Sequence, residues 1–147
     1  MAKTWIVVAH RGGARVFENK GPGKGLDLLR EIDHPEGRLK NREIDTDKPG
    51  RSYESHGAAR HAYDKEREST THVAEQFAKQ ISGILDEGRN RQAYGRLVLV
   101  ADPRFLGNLR SALSHETASL VTATIDKDLG GIESREMAKH LDGVMVV

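Results

Sequence analysis

Cysteine is absent from this chain of 147 residues, and its absence excludes several kinds of site. The protein has no disulfide framework, no thiolate nucleophile and no zinc site built on cysteine. Long apolar runs are also lacking, since "WIVVA" at residues 5–9 is too short for a signal peptide or a membrane span. We therefore expect a cytoplasmic protein without a membrane span, folded as a single domain over residues 1–147.

Neither sign of charge is in clear excess, because the formal net charge is +1. The surplus of positive charge lies at the amino end, where residues 1–30 carry six basic and two acidic side chains. Proteins that bind polyanions often show a stronger bias than this. The composition therefore permits nucleic-acid binding without requiring it.

Apolar runs separated by glycine-rich turns predict the first half of the fold. Three antiparallel strands are predicted, at "TWIVVA", "ARVFEN" and "LDLLREID". For the third segment a helix is the alternative, because it is rich in leucine. "HRGG" predicts a tight turn in which Gly12 and Gly13 are free to take positive φ. Residues 34–70 show no sustained period and predict a long loop, whose length is typical of a functional or disordered segment.

Helices and strands alternate in the second half of the chain. The first helix is predicted from about Thr71 to Glu87, with Gly88 as its stop. Its apolar face consists of Val73, Phe77, Ile81, Ile84 and Leu85. "RLVLVA" predicts a strand buried on both faces, "DPRFLGNLRSAL" a helix capped by Asp102, "LVTATI" a strand and "ESREMAKHL" a short helix.

This order predicts an α/β protein with a ribonuclease H-like mixed sheet covered by helices. Three antiparallel strands come first in the chain, and helices and strands then alternate. The first, fourth and fifth strands are then parallel neighbours, so their carboxyl ends meet at one edge. A cleft there would collect His10, Arg11, Asp102, Arg104, Asp126 and Asp128. The competing explanation is structural, because Asp102 suits a helix N-cap and "DKD" suits a turn.

Hydrolysis in this cleft is the less favoured interpretation. Two-metal nucleases need converging carboxylates, one of them normally on the first strand, and residues 4–9 offer none. "HRGG" also lacks the Lys-Ser/Thr of a phosphate-binding loop. His56, His61 and His72 do not have the spacing of zinc ligands. We therefore expect no metal, no cofactor and no enzymatic activity.

Four segments resemble the bacterial family known as protein required for attachment to host cells: "WIVVAHRGGARVFE", "GRSYESHGAARHAYDKE", "RLVLVADPRFLGNLRSAL" and "IDKDL". The order and spacing of these segments resemble those of the family over essentially the whole chain. That family in turn resembles, more distantly, the middle domain of the eukaryotic and archaeal peptide-chain release factor and of its ribosome-rescue relative Pelota.

In the release factor, a loop with a GGQ motif precedes a long helix and enters the ribosomal peptidyl-transferase centre. The stretch "HGAARHAY" at residues 56–63 would correspond to that loop. No GGQ occurs anywhere in the chain, and the two glycines of "HRGG" lie in the first hairpin. The resemblance therefore implies a release-factor-like domain without peptidyl-tRNA hydrolysis.

Such a domain would bind the ribosome or structured RNA through its long loop. The candidate contacts combine positive charge, histidine and tyrosines that can stack on bases: Arg51, Tyr53, His56, Arg60, His61, Tyr63, Lys65 and Arg67. The competing explanation is a solvated loop, since residues 36–68 hold eight positive and eight negative groups. Two other functions stay open: interaction with other proteins that contributes directly or indirectly to attachment, and hydrolysis in the cleft.

Overall fold

The described part of the chain folds into five strands and four helices. The computed structural model describes residues 3–10, 12–21, 25–35, 56–141 and 143, and for residues 56–71 it describes the helical backbone alone. The strands are β1 (Thr4–His10), β2 (Gly13–Asn19), β3 (Leu26–Asp33), β4 (Arg96–Val100) and β5 (Val121–Ile125). The helices are α1 (His56–Asn90), α2 (Pro103–Ala112), α3 (His115–Ala118) and α4 (Ser134–His140).

The strands form a single mixed sheet in the order β3-β2-β1-β4-β5. The pairs β1–β2 and β2–β3 are antiparallel, whereas β1–β4 and β4–β5 are parallel. This is the predicted arrangement of a three-strand meander followed by parallel strands with intervening helices. The α/β, ribonuclease H-like fold is therefore confirmed.

One face of the sheet packs against α1 and α2. Alternate residues of β1 and β4 supply the sheet side of this core, with Trp5 and Val7 beside Leu97 and Leu99. Phe77 of α1 lies at the centre of the helix side, where it is fully buried. Its ring stacks on His34 at a centroid distance of 4.1 Å and tilts against Phe105 of α2 at 5.8 Å. The predicted apolar face of α1 is thus confirmed, and only Ile84 in it is half-buried.

The other face of the sheet packs against α4 and the segment that leads into it. Strand alternation turns the intervening residues of β1 and β4 to this side, among them Ile6 and Val98. Met137 of α4 and Leu129 before it are buried against them. Both central strands are therefore buried on both faces, as the continuous apolar run of β4 predicts.

The start of α1 differs from the sequence-based expectation. The helix begins at His56 instead of about Thr71, so the prediction of a loop over residues 34–70 is wrong from residue 56 onward. Residues 56–70 contain alanine, arginine, lysine and glutamate, which favour helix but give no apolar period. Apart from His34 and Pro35, the rest of the predicted loop, residues 36–55, lies outside the described residues.

Two glycines also have different roles from those expected. Gly88 does not end α1, which continues to Asn90. A Cβ at Gly88 would lie 2.6 Å from the ring of Trp5, so glycine is needed for close approach of helix and sheet. Gly13 is in β2 without a positive φ, and a Cβ there would lie 2.7 Å from the carbonyl oxygen of Ile32.

Replacing Gly88 with alanine should therefore destabilise the protein although alanine favours helix. The new methyl group has to displace the buried indole of Trp5, and overpacking of this kind costs about 1–3 kcal/mol. Gly83→Ala is the matched control in the same helix, since nothing lies within 4 Å of a Cβ at Gly83. It should raise the free energy of unfolding by about 0.5–1 kcal/mol, as measured by urea denaturation. Equal stabilisation by both substitutions would contradict the close approach.

Truncation of Phe77 should have a much larger effect. Phe77→Ala removes a fully buried ring from between two aromatic neighbours and should cost about 3–5 kcal/mol in urea denaturation. Leu28→Ala serves as the control, because Leu28 lies on the edge strand with 49% of its surface exposed. Its effect should stay within about 0.5 kcal/mol. A loss below 1 kcal/mol for Phe77→Ala would contradict the packing described above.

Candidate functional site

The predicted cleft at the carboxyl ends of the parallel strands contains one half-buried histidine. His10 ends β1, and its Nδ1 accepts a hydrogen bond from the backbone N–H of Gly12 at 3.0 Å. The neutral ring therefore carries its proton on Nε2. Gly130 packs directly on the imidazole, so closely that a Cβ at that position would clash with the ring. The loop after β5 is thus brought against the end of β1, as the topology predicts.

Arg15 of β2 holds this loop in place. Its Nη2 donates hydrogen bonds to the carbonyl oxygens of Leu129 at 3.2 Å and Gly130 at 3.1 Å. The guanidinium also lies 5.3 Å from the centre of the Phe17 ring. The sequence alone does not indicate these contacts, because the acceptors are backbone atoms more than 100 residues further along the chain. Arg15 joins the cleft to the sheet.

The carboxylates of the cleft make mainly structural contacts. Asp102 accepts a hydrogen bond from the backbone N–H of Phe105 at 3.0 Å and so caps α2. Asp128 accepts one from the backbone N–H of Gly130 at 3.1 Å. Arg104 and Asp126 are exposed.

Metal binding finds no support in the described part of the cleft. Within the described ranges, no group of three or more histidine or carboxylate side chains could hold a metal ion. The remaining cleft candidate, Arg11, lies outside the described residues. What the structure does bring together here is His10, Arg15 and the loop at Gly130.

The candidate RNA contacts fall largely on α1. Six of them lie in this helix, where only the backbone is described: His56, Arg60, His61, Tyr63, Lys65 and Arg67. The other two, Arg51 and Tyr53, lie outside the described residues. The first turn of α1 contains no acidic residue. In the described part of the chain, neither α1 nor any other helix has the length and apolarity needed to cross a membrane. The structure therefore places these candidates on a helix instead of a loop.

A separate pocket of about 330 Å³ lies on the α1 face, near the amino end of β1. It is called the β1–α1 pocket below, and its lining residues are Lys3, Trp5, Val16, Glu18, Leu29, Arg30, Ile84, Arg91 and Ala93. They come from three strands, the residue before β1, the helix and the turn after it, so no local motif could reveal them. The cross-strand position of Trp5 opposite Glu18 follows only from the register of β1 and β2.

Tyr94 supports the wall of this pocket. Its ring stacks on the indole of Trp5 at a centroid distance of 4.6 Å. The Tyr94 hydroxyl donates a hydrogen bond to the carbonyl oxygen of Leu85 at 2.7 Å. Burial raises the pKa of Tyr94, so the neutral phenol that donates this bond is favoured. The contact fixes the turn after α1 against the start of β1.

Solved structures with the same fold include two archaeal proteins. One, described as an archaeal protein, is 8% identical with a TM-score of 0.51, and the match covers 99% of this chain and 34% of that one. The other is the archaeal translation termination factor aRF1, which is 10% identical with a TM-score of 0.51 over 98% of this chain and 35% of its own. This chain therefore spans about a third of their length, and identities this low show the fold alone.

Sequence comparison identifies the family directly. No curated protein matches the chain. The family model described as protein required for attachment to host cells matches residues 5–141, which is nearly the whole chain and includes every described strand except the first residue of β1. The chain belongs to the family of proteins required for attachment to host cells.

Proposed function

We propose that this protein is a non-catalytic, release-factor-like domain that binds the ribosome or structured RNA in the cytoplasm. The observation that carries the proposal is the fold it shares with the archaeal translation termination factor over 98% of the chain. That protein is described as a translation termination factor, and a domain of the same fold could use the same type of surface.

The length of α1 separates its candidate contact residues from Val73 along the helix. The helix has 35 residues, and Val73 lies in the core. About 25 Å of helix precede Val73, at roughly 1.5 Å per residue. The candidate contact residues from His56 to Arg67 all lie in this part.

Helical spacing gives these residues an arrangement that a loop would not. Arg60, Tyr63 and Arg67 are spaced by three and four residues, which places them on one side of the helix. Asp64 shares this side by the same spacing and leaves a surplus of one positive charge. Two cations flanking a tyrosine suit a nucleic-acid strand, because the cations attract phosphates while the ring stacks on a base. The amino end of a helix also carries partial positive charge, and no acidic residue in the first turn of α1 offsets it.

The absence of catalysis is part of the proposal. The chain contains no GGQ, and β1 carries no carboxylate for a two-metal site. Asp102 and Asp128 of the cleft are engaged by backbone N–H groups. The cleft residues therefore support the fold more directly than they support hydrolysis.

The family description favours a second candidate function. A protein required for attachment could act by binding other proteins, with attachment as a direct or an indirect result. The two candidates differ in the partner, since only the first predicts binding that follows RNA phosphates and therefore weakens with salt.

Charge reversal on the first half of α1 should separate binding from folding. We expect Arg60→Glu with Arg67→Glu to weaken cosedimentation of the protein with ribosomes from its own cells. Each lost phosphate contact should also flatten the dependence of log affinity on log salt by roughly 0.7–0.9. Thermal unfolding should confirm that the fold is retained.

Arg110→Glu with Arg135→Glu is the matched control, because it changes the net charge equally at exposed positions of α2 and α4. The control should bind as the parent does. If the parent does not cosediment at low salt, ribosome binding is ruled out. If both double variants weaken binding equally, the first half of α1 is not the contact surface.

Enzymatic assays should show neither peptidyl-tRNA hydrolysis nor metal-dependent cleavage of an RNA–DNA hybrid. The physical reason is the lack of a GGQ and of clustered metal ligands in the described residues. Asp126→Ala is the informative variant, because Asp126 is exposed and caps no helix. Cleavage by the parent that disappears in Asp126→Ala would show that the cleft is an active site.

A further inference from the structure

Two residues that line the β1–α1 pocket each hold a buried polar atom with no hydrogen-bond partner among the described residues. The atoms are Nε1 of Trp5 and Oε1 of Glu18, in residues that are only 6% and 7% exposed. Lys3 forms an ion pair with the same Glu18 oxygen at 3.6 Å, which is too long for a hydrogen bond. Buried polar groups in folded proteins nearly always have a partner, so each of these atoms needs an explanation.

The two residues are neighbours across the strand pair. Trp5 of β1 and Glu18 of β2 are directly opposite in the antiparallel register. One is a hydrogen-bond donor and the other an acceptor, so together they complement a ligand edge on which an acceptor stands beside a donor. Nucleobases carry such an edge.

The charged residues of the pocket favour an anion. Lys3, Arg30 and Arg91 outnumber Glu18 by two positive charges. Arg30 and Arg91 are exposed, and within the described ranges neither takes part in an ion pair. A phosphate monoester carries roughly −1.5 to −2 charge at neutral pH, which complements this surplus.

Apolar side chains complete the pocket. Val16, Leu29, Ile84 and Ala93 line it together with Trp5. Its volume of about 330 Å³ lies within the range of small-molecule sites. A flat base needs apolar contact on its faces and polar contact at its edge, and this lining provides both.

We propose that the β1–α1 pocket binds a nucleoside monophosphate. The base edge accepts a hydrogen bond from the indole N–H of Trp5 and donates one to Glu18, while the phosphate binds Arg30 and Arg91. The pocket lies at the carboxyl end of α1, whereas the proposed RNA contacts lie at its amino end. The inference therefore does not depend on the proposed function.

The single tryptophan of the chain makes the test specific. A ¹⁵N-labelled sample of the full chain should give one indole N–H signal, which belongs to Trp5. Titration with UMP or GMP should shift this signal downfield and saturate. Uridine lacks the phosphate and ribose 5-phosphate lacks the base, so each should bind at least about tenfold more weakly than UMP. No saturable shift with either nucleotide at millimolar concentration would overturn the proposal.

Substitutions then test the assigned contacts. Glu18→Gln and Arg91→Ala should each raise Kd about tenfold or more, whereas Arg110→Ala, an exposed arginine of α2, should leave Kd unchanged. Arg30→Ala and Arg91→Ala decide the question if Glu18→Gln does not fold, because both arginines are exposed. Unchanged Kd in these arginine variants would overturn the proposal.

Discussion

The parallel pairing of β1 with β4 is the constraint on which the rest of the structure depends. Parallel neighbours cannot be joined by a tight turn, so the chain between them has to cross the sheet. That connection contains β2, β3 and α1, and it lays α1 across one face. Because β1 and β4 are buried on both faces, the other face needs a cover too, which α4 provides. The helices therefore follow from the burial of two central strands.

The carboxyl end of α1 is fixed more firmly than packing alone would achieve. Gly88 lets the helix approach the indole of Trp5, and Tyr94 stacks on the same indole from the following turn. Asp86 accepts hydrogen bonds from Ser114 and Thr117, which join α1 to α3. These contacts hold the wall of the β1–α1 pocket in place. A preorganised wall is what a ligand site requires, since ordering it on binding would cost affinity.

Burial explains which parts of the fold could be predicted from the sequence. The strands and the core-facing half of α1 leave an apolar period, because their side chains face water or core in a regular pattern. The residues from His56 to about residue 70 have helix-forming composition but no such period, so the pattern indicates only the part of α1 that follows them. The four-residue α3 is too short to show any period, and only Ser114 as its N-cap could have indicated it. The N-cap Asp102, by contrast, could be predicted from the sequence, because the pair "DP" alone indicates the start of a helix. The β1–α1 pocket depends on cross-strand register and on the end of a long helix, which local patterns do not encode.

The net charge of +1 does not weigh against either proposed contact with phosphate. At an ionic strength of 0.1 M, charges act over about 10 Å, so a ligand responds to its neighbours and not to the total. The chain has nearly equal numbers of basic and acidic groups, but secondary structure sorts them. Helical spacing sets Arg60 and Arg67 on one side of α1, where Asp64 offsets one of the two charges. Sheet register with the turn after α1 brings Arg30 and Arg91 around one pocket. Because folding concentrates charges that the composition hides, a balanced total is compatible with local sites for anions, and the arrangement of the cations is the quantity that decides binding.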